Sequence, residues 1–130
     1  MAIFQSTVLG GYLKLQDSQV IEKAYSKYIK YFHNPKVQEN IRESKEEQFQ
    51  EGFLRELFVN ILGYTLYPEP NFDLTTELKN ERNAKKTDGA IIKDEKALAV
   101  IELKSTKTKD LESIRQQAFD YKANQTGCVY

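Results

Sequence analysis

The amino-acid sequence predicts a mixed α/β fold in which a helical extension precedes a core with the order helix, β-meander, helix and strand. Apolar residues recur at three- and four-residue steps up to Gly63, and the spacing beyond it is typical of short strands. The length of 130 residues matches one ordinary domain. We predict a helical extension over residues 1–43 and an α/β core over residues 44–130.

Two helices are predicted in the extension. The first begins at a cap formed by Asp17 or Ser18 and carries an apolar stripe as far as Phe32. Asn34-Pro35 then interrupts it, because Asn caps a helix and Pro suits its first turn, and a second helix runs to about Arg42.

The core begins with the most apolar helix of the chain. Ser44 to Glu47 fits a capping box, and Gly63 is placed as the glycine just beyond the helix end. Between them lies a wide apolar face made of Phe49, Phe53, Leu54, Leu57, Phe58, Ile61 and Leu62. This width indicates a helix packed against a core.

A β-hairpin is the clearest signal after this helix. Thr87 to Ile92 and Ala97 to Lys104 are apolar, strand-like runs separated by a polar turn at residues 93–96, after a weaker strand at 72–78 and a polar loop at 80–86. A helical stripe from Leu111 to Tyr121 follows. The apolar residues 128–130 then predict the start of another strand, and hence a core truncated at its C-terminal end.

Composition limits the chemistry. Nineteen basic and nineteen acidic residues give a net charge of zero, which excludes binding to nucleic acid by bulk charge alone, and no apolar run is long enough for a signal peptide or a membrane span. The single cysteine, Cys128, is interpreted as a core residue, and the single histidine, His33, as a helix C-terminal cap. A metal in this chain would therefore be held mainly by oxygen atoms.

Charged residues gather at the end of the hairpin. Glu102 and Lys104 lie two residues apart on a strand and so share a face, and Asp88 lies nearly opposite Glu102 across the hairpin. Two adjacent carboxylates suit Mg²⁺ or Mn²⁺, and a lysine beside them can position water or stabilise negative charge. The pattern indicates phosphodiester hydrolysis.

A structural interpretation of the same residues stays open at this point. Five acid-x-Lys triplets occur in the chain, so the triplet alone carries no information. Glu102 and Lys104 can form an ion pair at a strand end, and Asp88 can begin a turn with Gly89.

Asp88, Glu102 and Lys104 resemble the Asp…Glu-x-Lys signature of the PD-(D/E)xK nuclease superfamily, with Thr87 in place of the usual proline. Gln117 and Tyr121 resemble the Gln-x-x-x-Tyr element of RecB-like and type I restriction nucleases. The helix that begins Glu-Glu-x-Phe-Gln and ends Leu-Gly-Tyr is similar to the first nuclease helix of type IIG restriction-modification enzymes.

The resemblance implies a restriction-endonuclease-like core in which Asp88 and Glu102 bind Mg²⁺, or Mn²⁺, and Lys104 and Gln117 complete the active site. A glutamate of the first helix often faces the metal in this family. Spacing back from Gly63 favours Glu47 for that role, whereas Glu51 lies one turn further in.

The resemblance also implies the partners. Double-stranded DNA is the expected substrate, and methyltransferase and target-recognition regions are expected in a longer chain. Because duplex cleavage needs two cuts, a transient homodimer is expected. The expected location is cytoplasmic, without membrane association. Residues 79–109 carry nine basic against five acidic residues, a net +4, and Lys85, Lys86 and Lys107 are candidate phosphate contacts. The alternatives are a type I restriction subunit, a repair or phage nuclease, or an inactive DNA-binding or assembly module.

Overall fold

The computed structural model describes residues 5–79, 81–83 and 85–130. Residues 1–4 of the predicted extension and residues 80 and 84 of the predicted polar loop lie outside the described residues. The chain is a mixed α/β protein with a small antiparallel sheet. Among the described residues, no helix combines the length and the apolar character needed to cross a membrane.

The described residues of the N-terminal part form three helices: α1 (Ser6–Leu13), α2 (Ser18–Phe32) and α3 (Pro35–Glu43). The predicted caps of the last two are confirmed, because Asp17 accepts a hydrogen bond from the backbone N–H of Gln19, and Asn34 accepts from that of Lys36. His33 is the C-terminal cap of α2, as predicted. The sequence did not predict α1, whose side chains are almost all exposed.

One continuous helix crosses the middle of the chain. It consists of α4 (Glu46–Phe53) and a π-helical segment (Leu54–Ile61), which we together call the core helix. The wider turns of the second part include a hydrogen bond from the N–H of Leu62 to the carbonyl of Leu57, five residues earlier. Gly63 follows with a positive φ of 82°, which confirms its predicted place beyond the helix end.

The start of the core helix lies one residue later than predicted. Lys45 is the N-cap, and its backbone N–H donates to the side chain of Gln48 at 3.4 Å. The predicted capping box between Ser44 and Glu47 is wrong, because the Ser44 hydroxyl donates instead to the carbonyl of Ile41 at the end of α3.

Within the described ranges, the sheet has three antiparallel strands in the order β1 (Leu74–Thr76), β2 (Gly89–Lys93) and β3 (Lys96–Ile101). The hairpin between β2 and β3 is confirmed, and its turn residues Asp94 and Glu95 both have positive φ, as the twist of a two-residue hairpin requires. The predicted second strand is too long, because β3 ends before Glu102 and Lys104.

A β-bulge determines the register of this hairpin. Ile92 pairs with Ala97, but Ile91 pairs with Ala99, so Leu98 is an extra residue on β3. The pairing then continues to Gly89 and Ile101. One step further, Asp88 lies across from Glu102.

The last helix, α5 (Leu111–Ala123), packs on β3, and Asp110 caps it by accepting from the backbone N–H of Ser113. Residues 128–130 hydrogen-bond to the outer edge of β3 in a parallel pattern, with Val129 donating to Leu98 and Val100 donating to Tyr130, each at 2.9 Å. The predicted additional strand at these residues is therefore present as a backbone pairing. Cys128 beside it is half-buried, and burial raises the pKa of its thiol.

The buried core lies where the core helix meets the sheet. Leu54 of the core helix is 1% exposed and Leu74 of β1 is fully buried. A Cβ on Gly89 would lie 3.3 Å from the Cδ1 atom of Leu54, so the helix passes directly over the start of β2. This close approach places the first turns of the core helix beside Asp88.

Candidate functional site

Asp88 is held in place at the entrance to β2 by two hydrogen bonds. Its Oδ2 atom accepts from the backbone N–H of Leu103 at 2.7 Å, and its Oδ1 atom accepts from the Nε2 atom of Gln50 at 3.1 Å. One bond fixes the carboxylate to the residue between Glu102 and Lys104, and the other fixes it to the core helix. The carboxylate is therefore oriented from two sides.

Glu102 and Lys104 form the closest ion pair of the site. The Nζ atom of Lys104 lies 2.5 Å from the Oε1 atom of Glu102, whose side chain is only 5% exposed. A buried carboxylate needs a partner of opposite charge, and Lys104 supplies it. The structure thus brings together the two residues that the sequence analysis placed on one strand face.

Glu46 is the third carboxylate of the site. Its Oε1 atom lies 3.4 Å from the Nζ atom of Lys104, and its Oε2 atom accepts from the backbone N–H of Ser105 at 3.2 Å. Glu46 therefore holds Lys104 from the helix side while Glu102 holds it from the strand side. We call Glu46, Asp88, Glu102 and Lys104 the carboxylate-lysine cluster.

The carboxylate-lysine cluster has an excess of negative charge, since it contains three carboxylates and one ammonium group. Burial raises the pKa of Glu102, and the charges of Asp88 and Glu46 raise it further, against the hydrogen bond from Lys104 that lowers it. Burial acts to lower the pKa of Lys104, but the hydrogen bond to Glu102 and the charge of Glu46 outweigh it and leave that pKa raised. The raised pKa of Glu102 therefore reflects its burial first and the neighbouring carboxylates second.

The donor atoms of the cluster are carboxylate oxygens, the type that hard divalent cations prefer. Asp88 and Glu102 offer carboxylate oxygens from facing backbone positions, and Mg²⁺ is commonly bound by one or two carboxylates with water and phosphate oxygens completing its shell. In the part of the chain that the structure describes, no three His, Cys, Asp or Glu side chains are arranged to enclose a metal ion. An all-protein metal cage is therefore not the kind of site that these residues form.

The glutamate that the sequence analysis favoured does not contact the cluster. Glu47 is exposed, and among the described residues it makes no hydrogen bond or ion pair with the cluster. Glu51 is also exposed and pairs with Arg55 at 2.9 Å, one turn along the same helix. Among the described residues of this helix, Glu46 is the glutamate that contacts the cluster, because it lies on the same side of the helix as Gln50 and Leu54. No contact in the described residues supports the predicted role of Glu47.

Gln117 lies on α5, where its Nε2 atom donates to the hydroxyl of Tyr121 at 3.1 Å. Within the described ranges, no hydrogen bond connects Gln117 to the cluster. Lys85 and Lys107 are exposed, and Lys86 is exposed and pairs with Glu77 at 3.2 Å. These lysines are accessible to a ligand at the surface.

Glu46 and Gln50 were not among the predicted site residues. A signal for them exists in the spacing, since stepping back four residues from the buried Leu54 gives Gln50, and four more gives Glu46. These two polar residues continue the core-facing stripe beyond its apolar part. Polar residues on a core-facing stripe point toward a buried polar site.

Comparison with protein-family models, with curated proteins and with solved structures finds no match. The fold and the site define a mixed α/β protein with a partly buried carboxylate-lysine cluster at the end of a β-hairpin. Functional conclusions for this chain accordingly depend on the geometry of that cluster.

Proposed function

We propose that this chain is a Mg²⁺-dependent DNA endonuclease domain that hydrolyses phosphodiester bonds. One observation carries the proposal: Asp88 and Glu102 are the residues next to the last strand pair, Gly89 and Ile101, and Lys104 forms an ion pair with Glu102 at 2.5 Å. Two carboxylates and a lysine in this arrangement match the needs of metal-assisted phosphoryl chemistry.

Each residue has a distinct role in this proposal. Asp88 and Glu102 would hold Mg²⁺, or Mn²⁺, which when bound polarises a phosphoryl oxygen and activates water. Lys104 donates hydrogen bonds to the attacking water or to the oxygen on which negative charge develops. Glu46 positions Lys104, and Gln50 positions Asp88.

The finer assignment also belongs to this proposal. A restriction-endonuclease-like core is supported by the order of core helix, three-stranded meander, α5 and the parallel pairing of residues 128–130 with β3. We further propose that this domain is the cleavage module of a type IIG-like restriction-modification enzyme. Its partners would be double-stranded DNA, methyltransferase and target-recognition regions of a longer chain, and a transient second copy.

A second candidate function is an inactive domain of the same fold that binds DNA or assists assembly. It is favoured by the internal pairing of the cluster, in which Lys104 contacts two glutamates and Asp88 accepts two hydrogen bonds. In an inactive domain, these ion pairs and hydrogen bonds would serve only to stabilise the fold.

Plasmid cleavage distinguishes the two functions. The wild-type chain, Asp88→Asn and Lys104→Gln are incubated with supercoiled DNA and Mg²⁺, and Lys93→Gln, an exposed hairpin position, is the matched control. We expect Asp88→Asn and Lys104→Gln to cleave at least about 100-fold more slowly than the wild type, because each removes charge stabilisation from the transition state. The Lys93→Gln control should cleave at the wild-type rate. Equal rates in all four proteins, or DNA binding without cleavage by the wild type, would contradict the nuclease proposal.

A further inference from the structure

An open cavity of about 210 Å³ lies directly beside the carboxylate-lysine cluster. Phe32 at the end of α2 and Phe49 and Phe53 of α4 contribute phenyl rings to its wall. Glu46 and Lys104 line the same cavity. The cavity and the cluster therefore share residues, and a molecule bound in one would touch the other.

The three phenyl rings are arranged edge to face. Phe49 and Phe53 have ring centroids 6.2 Å apart with planes at 73°, and Phe32 and Phe53 have centroids 5.9 Å apart with planes at 62°. All three side chains are only half-buried, so part of their ring surface faces the cavity. An exposed aromatic surface of this kind offers a stacking partner to a flat apolar ligand.

Polar groups are added to the aromatic wall by the segment after Lys104 and by the core helix. Ser105 and Thr106, which follow Lys104 along the chain, line the cavity together with Gln50. Their hydroxyl and amide groups can hydrogen-bond the edge of a flat ring whose face lies on phenylalanine. The wall is mostly apolar, which suits the face of a flat ring, and its few polar groups suit the edge of that ring.

We propose that this cavity binds a nucleobase of the DNA strand that is cleaved, next to the scissile phosphate. The inference rests on the proposed nuclease function, because the base is placed by a phosphate held at Lys104. A base that enters the cavity must leave the base stack, which is easiest in single-stranded or frayed DNA. The chain should therefore bind unpaired strands through their bases as well as through their phosphates.

Binding of two oligonucleotides of equal length separates these contributions. One is oligothymidylate and the other is an abasic chain with the same number of phosphates, both measured by fluorescence anisotropy with Ca²⁺ replacing Mg²⁺. We expect the wild-type chain to bind oligothymidylate about 10-fold more tightly, the effect of one base stacked on an aromatic side chain.

Phe49→Leu is the test variant, since it keeps an apolar side chain of similar size and removes the aromatic face. Its matched control is Phe119→Leu, which alters an exposed phenylalanine of α5 outside the cavity. We expect the tenfold ratio to fall to about one in Phe49→Leu and to persist in the control. Thermal unfolding of both variants checks that the fold is retained.

Plasmid cleavage by the same preparations keeps the two proposals apart. The affinity ratio is that of oligothymidylate to the abasic chain. If the wild type cleaves DNA but this ratio is near one, or if Phe49→Leu leaves the ratio unchanged, the base site is overturned and the nuclease proposal stands. Absence of cleavage with a ratio that depends on Phe49 supports the base site within a binding module. Absence of both cleavage and binding overturns both proposals.

Discussion

Glu46 and Glu47 are adjacent glutamates on one helix with different surroundings. Successive residues of an α-helix are rotated by about 100°, so only one of two neighbours can face a given point. Glu46 faces Lys104 and the backbone of Ser105, whereas Glu47 is exposed. The pair therefore provides a matched comparison at the scale of one residue.

We expect Glu46→Gln to lower the rate of DNA cleavage by about 10-fold, because the amide keeps the size of the side chain but leaves Lys104 without one of its two anionic partners. The charge of Glu46 also raises the pKa of Lys104. Its removal should move the alkaline limit of the pH–rate profile to lower pH. Glu47→Gln should change neither the rate nor the profile, and a similar loss in both variants would contradict the positioning role of Glu46.

Gln50 shows how a neutral side chain can matter at a charged site. Its amide donates to Asp88 from the core helix, whereas the backbone N–H of Leu103 donates to Asp88 from the segment after β3. The two donors restrict the rotation of the carboxylate. Asp88 is therefore oriented before any ligand binds.

At the scale of the element, the β-bulge at Leu98 decides which residues face each other. Directly opposed residues of an antiparallel pair point to the same side of the sheet. With the bulge, Asp88 opposes Glu102; without the extra residue, it would oppose Ile101, and Glu102 would point to the other side. The irregularity in β3 is therefore a condition for the carboxylate-lysine cluster.

The packing of the core helix over β2 requires a small residue at position 89. A Cβ on Gly89 would lie 3.3 Å from Leu54 and 3.3 Å from the backbone carbonyl oxygen of Thr75, and the backbone cannot move aside as a side chain can. We expect Gly89→Ala to lower the free energy of unfolding by about 1–3 kcal/mol, the usual cost of overpacking a core. Urea denaturation measures the change.

Gly11→Ala in α1 is the control for this substitution. No atom lies within 4 Å of a Cβ at that position, and alanine favours a helix over glycine by about 0.5–1 kcal/mol. Gly11→Ala should therefore leave stability unchanged or raise it. A neutral effect of Gly89→Ala would mean that the core helix does not pack as closely on β2 as the structure indicates.

At the scale of the whole molecule, the neutral total charge hides a local excess of negative charge in the cluster. Because burial raises the pKa of Glu102 above its ordinary value of 4.5, the folded chain binds a proton more tightly there than the unfolded chain. The free energy of unfolding contributed by Glu102 should then decrease as the pH rises from about 4.5 through the raised pKa. Comparing the wild type with Glu102→Gln isolates this contribution from that of other carboxyl groups.

Mg²⁺ should reverse this loss of stability. A cation bound by the ionised carboxylates stabilises only the folded chain, by about 2.7 kcal/mol at a concentration roughly 100 times its Kd. We expect this gain to be larger at pH 8 than at pH 5, since protons compete with the metal at low pH. Urea unfolding with and without Mg²⁺ measures it, and a gain that persists in Asp88→Asn would place the metal elsewhere.

Local signals account for much of the fold. The caps at Asp17 and Asn34, the glycine after the core helix and the two-residue turn of the hairpin were all predictable, because each depends on residues close together in the chain. The pairing of Glu102 with Lys104 is local for the same reason. The solvent-exposed helix α1 was not predicted, because it lacks the strong apolar stripe that burial imposes.

The sequence by itself determined the residue types of the candidate site, namely two carboxylates and a lysine around a short hairpin in a chain with one histidine and one cysteine. Only the tertiary structure decided that Glu46 and Gln50 complete it. Adjacent residues of a helix point about 100° apart, and a one-residue shift in a strand register moves a side chain to the opposite face. Those single steps are set by long-range packing, in which Leu54 lies over Gly89 and a bulge at Leu98 brings Asp88 opposite Glu102.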